Sequence, residues 1–96
     1  MTHGRFHWDT RKSVTNHVKH DVLFEEAQQA FLDPLCLIAE DRGHSAEESR
    51  LYCVGRIARG ILMVRFTIRG NTIRIIGAGC WRKGKRLYEE KNKIHR

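Results

Sequence analysis

From Ile61 to Arg69 apolar and polar residues alternate: Leu62, Val64, Phe66 and Ile68 against Arg65, Thr67 and Arg69. Side chains along a strand point to opposite faces of a sheet in turn. The stretch therefore predicts a strand with one core face and one wet face. The flanking segments repeat the pattern. Leu51 and Cys53 oppose Glu48, Arg50 and Tyr52, and Ile73 and Ile75 oppose Thr72 and Arg74. Strands are expected at about 47–57, 61–69 and 72–80, with turns at 58–60 and at Gly70-Asn71. Such short connections favour an antiparallel meander.

The first half carries the helical periodicity. Residues 5–9 (RFHWD) read as a short extended segment with Phe6 and Trp8 on one side and His7 on the other. Asp9 or Thr10 can cap a helix over about 11–19, with Val14 and Val18 on one face. Asp21 is the expected N-cap of a second helix over about 22–32. Its buried stripe is Phe24, Ala27 and Phe31, and Glu25 and Glu26 lie in its first turn. Asp33-Pro34 stops it. A further strand, an edge strand, is expected at 35–40, a polar turn at 41–45, and a closing helix at 82–92. The order gives an α+β fold: a small antiparallel sheet packed against N-terminal helices, with a C-terminal helix. Ninety-six residues make one domain, 1–96.

Charge changes this picture from a fold to a partner. The net charge is +7, but residues 1–48 hold five Lys/Arg and nine Asp/Glu, and residues 49–96 hold thirteen and two. An asymmetry of that size favours a nucleic acid or another acidic partner. No apolar run approaches the roughly 20 residues that span a bilayer, and the N-terminal residues lack the apolar core of a secretory signal. Three cysteines, Cys36, Cys53 and Cys80, stand in apolar strand contexts without a C-x-x-C pair. They read as small hydrophobes of a reducing cytoplasm.

The wet face of the predicted sheet collects Glu48, Arg50, Arg65, Arg69 and Arg74. The planar guanidinium grips phosphate bidentately, which lysine does less well. Cleaving RNA without a metal needs a base for the 2′-hydroxyl, an acid for the leaving 5′-oxygen, and cations that offset the charge on the phosphorane. Glu48 or a histidine such as His20 can be the base, and the arginines can stabilise the charge. Arg65, Arg69, Arg82, Lys83 and Tyr88 are candidate RNA contacts. Of the six histidines, none has a carboxylate or cysteine beside it at metal-ligand spacing, so no metal and no cofactor is expected. GCWRKGKR at 79–86 approaches a P-loop, but Arg86 stands at the Ser/Thr position and the sheet is not a parallel βαβ unit.

One spaced pattern covers much of the chain. It runs Phe6-x-Trp8-Asp9-x-x-Lys12-x-x-x-Asn16-x-x-Lys19-His20-x-Val22-x-Phe24-Glu25-Glu26-Ala27, then Phe31-x-Asp33-Pro34. It continues as Asp41-x-x-His44-Ser45-x-x-Glu48-x-Arg50, Gly55 and Ile73-Arg74-Ile75-Ile76. This resembles the BrnT family, the ribonuclease toxins of bacterial type II toxin–antitoxin pairs. The resemblance implies a RelE-like fold, an endoribonuclease activity and a cognate BrnA-like antitoxin that blocks the toxin and touches operator DNA itself. By position, Lys19, His20, Glu48, Arg50 and Arg74 match the motif and are the expected catalytic set. The family's last strand usually continues Ile-Ile-Ser-Ala-Arg, whereas here it reads Ile75-Ile76-Gly77-Ala78-Gly79. That departure supports an alternative expectation: a weakened toxin-fold protein that serves as a partner in an autoregulatory DNA-binding complex.

Overall fold

The computed structural model describes residues 2–3, 5–44 and 49–93. Its strands are β1 (Thr2–His3), β2 (Phe6–His7), β3 (Leu37–Glu40), β4 (Leu51–Ile57), β5 (Gly60–Arg69) and β6 (Thr72–Gly79). Helices are α1 (Thr10–His20), α2 (Phe24–Ala27) and α3 (Arg82–Asn92). The sheet has the order β1-β2-β6-β5-β4-β3. The meander β3–β6 is antiparallel throughout, as the short connections predict, and β3 lies at the edge. The Gly70-Asn71 turn closes the β5–β6 hairpin with Gly70 at positive φ. Glu48 and the start of the strand expected from 47 lie outside the described residues.

One pairing was not predicted. The short N-terminal segment joins the sheet beside β6 in parallel, Phe6 to Ile73 and His7 to Arg74. This contact is far apart in sequence and leaves no local pattern. It covers only the first part of β6, so among the described residues the later part has no strand neighbour on that side.

The helices correct two expectations, the N-cap role of Asp21 and the single helix over 22–32. Val14 and Val18 share one face of α1 as expected, and that face is mostly exposed; the buried residues of α1 are Ser13 and Asn16. Asn16 Nδ2 donates to the Val22 and Ala78 carbonyls at 2.7 and 2.9 Å, and its Oδ1 accepts from the Ala78 N–H at 3.2 Å. Ser13 Oγ accepts from the Phe24 N–H at 3.0 Å. Four buried backbone groups would otherwise lack partners, at roughly 1–3 kcal/mol each. Against that, burying two valines offers roughly 1.5–3 kcal/mol each. The polar face wins, and Asn16 does for the uncovered part of β6 what a strand would do.

Asp9, not Thr10, caps α1 by accepting from the Arg11 and Lys12 N–H groups. Asp21 is not the N-cap of the second helix but the left-handed C-cap of the first, and Leu23 precedes α2. The expected helix over 22–32 is one α-turn followed by a 3₁₀ segment, Gln28–Leu32. Three residues per turn keep Ala27 and Ala30 on one side, and both are fully buried. That side lies against β4 so closely that a Cβ on Gly55 would collide with the Ala30 carbonyl oxygen. The tip of the β4–β5 hairpin is clamped to the same region. Arg59 binds both Glu26 carboxylate oxygens at 2.7 Å and also reaches the Asp21 side chain and carbonyl.

Two cores flank the sheet. Trp8, Val22, Phe24, Ala27 and Ala30 pack on one face against Cys53, Leu62, Val64, Phe66 and Ile75. On the other face α3 covers one end, where Tyr88 meets Leu37, Val54 and Met63. Asp33 ties these layers together, accepting from the Leu35 and Arg56 N–H groups and from the Tyr88 hydroxyl at 2.9, 2.7 and 2.6 Å. Burial works to raise the Asp33 carboxyl, but the three hydrogen bonds outweigh it and the net shift is downward. A depressed carboxyl gives stability that is complete above the ordinary value of about 3.9 and is lost as pH falls through the folded value. Asp33→Ala is expected to destabilise by about 2 kcal/mol. Melting curves at pH 7 and pH 3 check the linkage: the wild type should lose more between them than Asp33→Asn does.

Cysteine placement is mixed. Cys53 is buried and Cys36 half-buried, as small hydrophobes should be, and burial pushes the Cys53 thiol up. Cys80 is exposed, against expectation, because the chain leaves β6 at Gly79 before reaching it.

Candidate active site

α1 is the first wall of the site. Positions 12, 15, 16, 19 and 20 recur at helical spacing, so Lys12, Thr15, Lys19 and His20 share a face beside the buried Asn16. Asn16 docks that face over the end of β6, where Ile76 and Gly77 form the floor. The register shifts here: Phe66 pairs with Ile75 and Arg65 with Gly77, leaving Ile76 as an extra residue. Bulges of this kind are common next to active sites because they re-aim side chains.

The second wall is Arg50 and Arg65. Arg50 is held through its backbone: its carbonyl accepts from the Asp41 N–H at 2.7 Å, and the neighbouring Ser49 carbonyl accepts from the Thr67 hydroxyl at 2.8 Å. Thr67 is buried under this crossing although the alternation places it on the wet face. The walls enclose a cavity of about 310 Å³, completed by Asp41 and Trp81. Among the described residues that line it, Lys12, Lys19, Arg50 and Arg65 face one carboxylate, Asp41, so this lining is electropositive. Among the described residues no ion pair involves Lys12, Lys19 or Arg65.

Trp81 was unforeseen as a site residue. Its ring stands 5.1 Å from that of His20 in an edge-on arrangement, and the Arg65 guanidinium carbon lies 5.4 Å from the indole centroid. Beyond Trp81 the cleft continues to Tyr52 and Lys83, whose ammonium sits 5.9 Å from the Tyr52 ring. The helical spacing of Lys12, Asn16 and Lys19 was a usable signal for the first wall. Nothing local pointed to Trp81.

The expected residues are thus divided. Lys19, His20, Arg50 and Arg65 converge on the cavity, and Lys83 borders its extension. Arg69 and Arg74 stand with His7 toward the β5–β6 turn; burial and nearby positive charge, theirs included, lower the His7 pKa. Arg82 lines a separate basic cavity with Arg56 and Lys85, on the far side of Trp81. Tyr88 is buried, its hydroxyl donates to Asp33, and it borders none of these cavities. Burial and that hydrogen bond raise its pKa. Glu48 lies outside the described residues. Among the described residues no three His, Cys, Asp or Glu side chains come together.

A two-walled cationic cavity on a small α+β fold defines a protein that handles a polyanion. The family model for the ribonuclease toxin BrnT of type II toxin–antitoxin systems matches residues 8–84. The chain belongs to that family: it is a ribonuclease toxin, with RNA as substrate and an antitoxin as partner. No curated protein matches it. Among the described residues no helix is long and apolar enough to cross a membrane.

Proposed function

We propose that the chain is a metal-independent endoribonuclease of the cytoplasm, neutralised by a BrnA-like antitoxin that alone carries the contact with operator DNA. The observation behind this reading is the convergence of Lys19 and His20 from α1 with Arg50 and Arg65 from the sheet on one cavity. RNA cleavage by its own 2′-hydroxyl calls for those groups. Glu48 and His20 are the candidates for the two proton transfers. Arg50, Arg65 and Lys19 meet the charge that builds on the phosphorane. Arg74 and Arg69, farther along the same sheet face, hold the flanking backbone, and Lys83 and Arg82 hold it beyond Trp81.

Purified protein should cut RNA in EDTA and leave 2′,3′-cyclic or 3′-phosphate ends. Cleavage that EDTA abolishes would sink the metal-independent mechanism. In cells, Glu48→Ala and Arg50→Ala should each relieve growth arrest; full toxicity in both would move the site elsewhere.

A second reading rests on Gly77, which lines the cavity and brings no hydroxyl. In that reading the chain is a weakened toxin acting as partner in the autoregulatory complex. Among the described residues a Cβ at 77 meets only Asn16 Oδ1, at 3.9 Å, which leaves room for a serine. Gly77→Ser separates the two: a large gain in cleavage favours the weakened toxin, and none favours the enzyme as it stands.

A further inference from the structure

Gly79 ends β6, Trp81 precedes α3, and the two residues contend for one volume. A Cβ built on Gly79 would lie 2.8 Å from the indole Cε2 and Cζ2 and 3.1 Å from Cδ2. Side chains do not approach so closely, so the ring stands where any side chain at 79 would begin. From that place it reaches two cavity groups at once. Arg65 lies over its π-face, the arrangement in which a cation is attracted to an aromatic ring. His20 meets it edge-on at 5.1 Å. Both partners are otherwise poorly held. Arg65 is exposed on its strand, and His20 is the exposed last residue of α1, followed directly by the left-handed Asp21. A long side chain at an exposed position samples many rotamers, and restricting it beforehand is what orientation contributes to catalysis.

We propose that Trp81 is the positioning residue of this site: seated in the space that Gly79 leaves open, its indole holds the Arg65 guanidinium and the His20 imidazole toward the cavity. The inference rests on the ribonuclease reading above and adds a residue to it. It also gives Gly79 a role, since even alanine there displaces the ring. The other charged groups that line cavities with the indole are Lys12 and Lys19 on α1, Asp41, Arg50 and Lys83, and, on its far side, Arg56, Arg59, Arg82, Lys85 and Glu89.

The test compares Trp81→Leu, Trp81→Phe and His20→Gln in the full chain. Leucine keeps apolar bulk against the α3 core, and phenylalanine keeps an aromatic ring. Trp81→Leu is expected to lower kcat on RNA by about 10–100-fold, with KM within about threefold. Trp81→Phe should recover most of that loss, and the melting temperatures should stay close to wild type. Tryptophan emission supplies a readout independent of cleavage, because an indole's emission responds to the ring packed against it. The difference between wild-type and Trp81→Phe emission isolates Trp81, and His20→Gln should change that Trp81 emission at fixed pH. Wild-type kcat in Trp81→Leu, or a Trp81 emission that His20→Gln leaves unchanged, overturns the proposal. A wild-type chain that cuts no RNA overturns the ribonuclease reading instead, and the emission result then decides the Trp81 contact alone.

Discussion

Arg50→Ala is expected to lower kcat/KM for RNA cleavage by about 10²–10³-fold, the scale on which a single preorganised donor stabilises a transition state. Arg50 enters the cavity from a segment whose carbonyls are tied to Asp41 and Thr67, so its guanidinium starts from a fixed backbone. Arg65 comes from the neighbouring strand, opposite Gly77. Two cations, one just before β4 and one on β5, can straddle one phosphate, and loss of either leaves the developing charge partly unmet. Arg50→Lys should recover only part of the rate, because a point charge does not reproduce the planar fork. Steady-state kinetics together with a melting curve check the result. A large loss of rate without a large loss of stability is expected, and unchanged kinetics would remove Arg50 from the site.

Asn16→Ala should destabilise by about 3 kcal/mol, because it strips partners from the Ala78 N–H and from the Val22 and Ala78 carbonyls together. That is a large part of the roughly 5–15 kcal/mol that holds an ordinary domain. Activity should fall as well, since the same residue fixes the helix that carries Lys19 and His20. Asn16→Asp separates hydrogen bonding from shape. It keeps the acceptor for Ala78 but turns an oxygen toward two carbonyls that need a donor. The ionised form is disfavoured in the folded state, so the folded pKa lies above the unfolded one. Stability is then present at low pH and lost as pH rises through the folded value. Denaturant melts at pH 4 and pH 7 should show Asn16→Asp closer to wild type at the lower pH. A variant as stable as wild type at both would mean that α1 is held by something else.

The sheet was legible in the sequence because each residue there answers to its nearest neighbours. Alternation told core from wet face at Leu62, Val64, Arg65, Phe66 and Ile75 but failed at the buried Thr67 and the exposed Ile68, and Gly70-Asn71 marked the hairpin. The closing helix at 82–92 followed from a basic, helix-favouring stretch. In α1 the apolar pair at helical spacing, Val14 and Val18, faces outward, because the docking surface demanded donors and acceptors. The Tyr88 hydroxyl looked available for RNA because nothing near it in sequence shows that Asp33 takes it.

The arginine face shows the limit most plainly. Arg50, Arg65, Arg69 and Arg74 share the face that alternation assigns them, but a strand rises about 3.3 Å per residue. Arg69 therefore stands about 13 Å along β5 from Arg65, and only one of the two reaches the cavity. Residue chemistry and local period were enough to establish an arginine-bearing antiparallel sheet, helices on either side of it in the chain, and a polyanion as partner. Which cations meet depended on the bulge at Ile76, the docking of α1 through Asn16, and the ring of Trp81 over Gly79. Each of these joins residues whose interaction depends on distance in space, which local patterning along the chain does not encode.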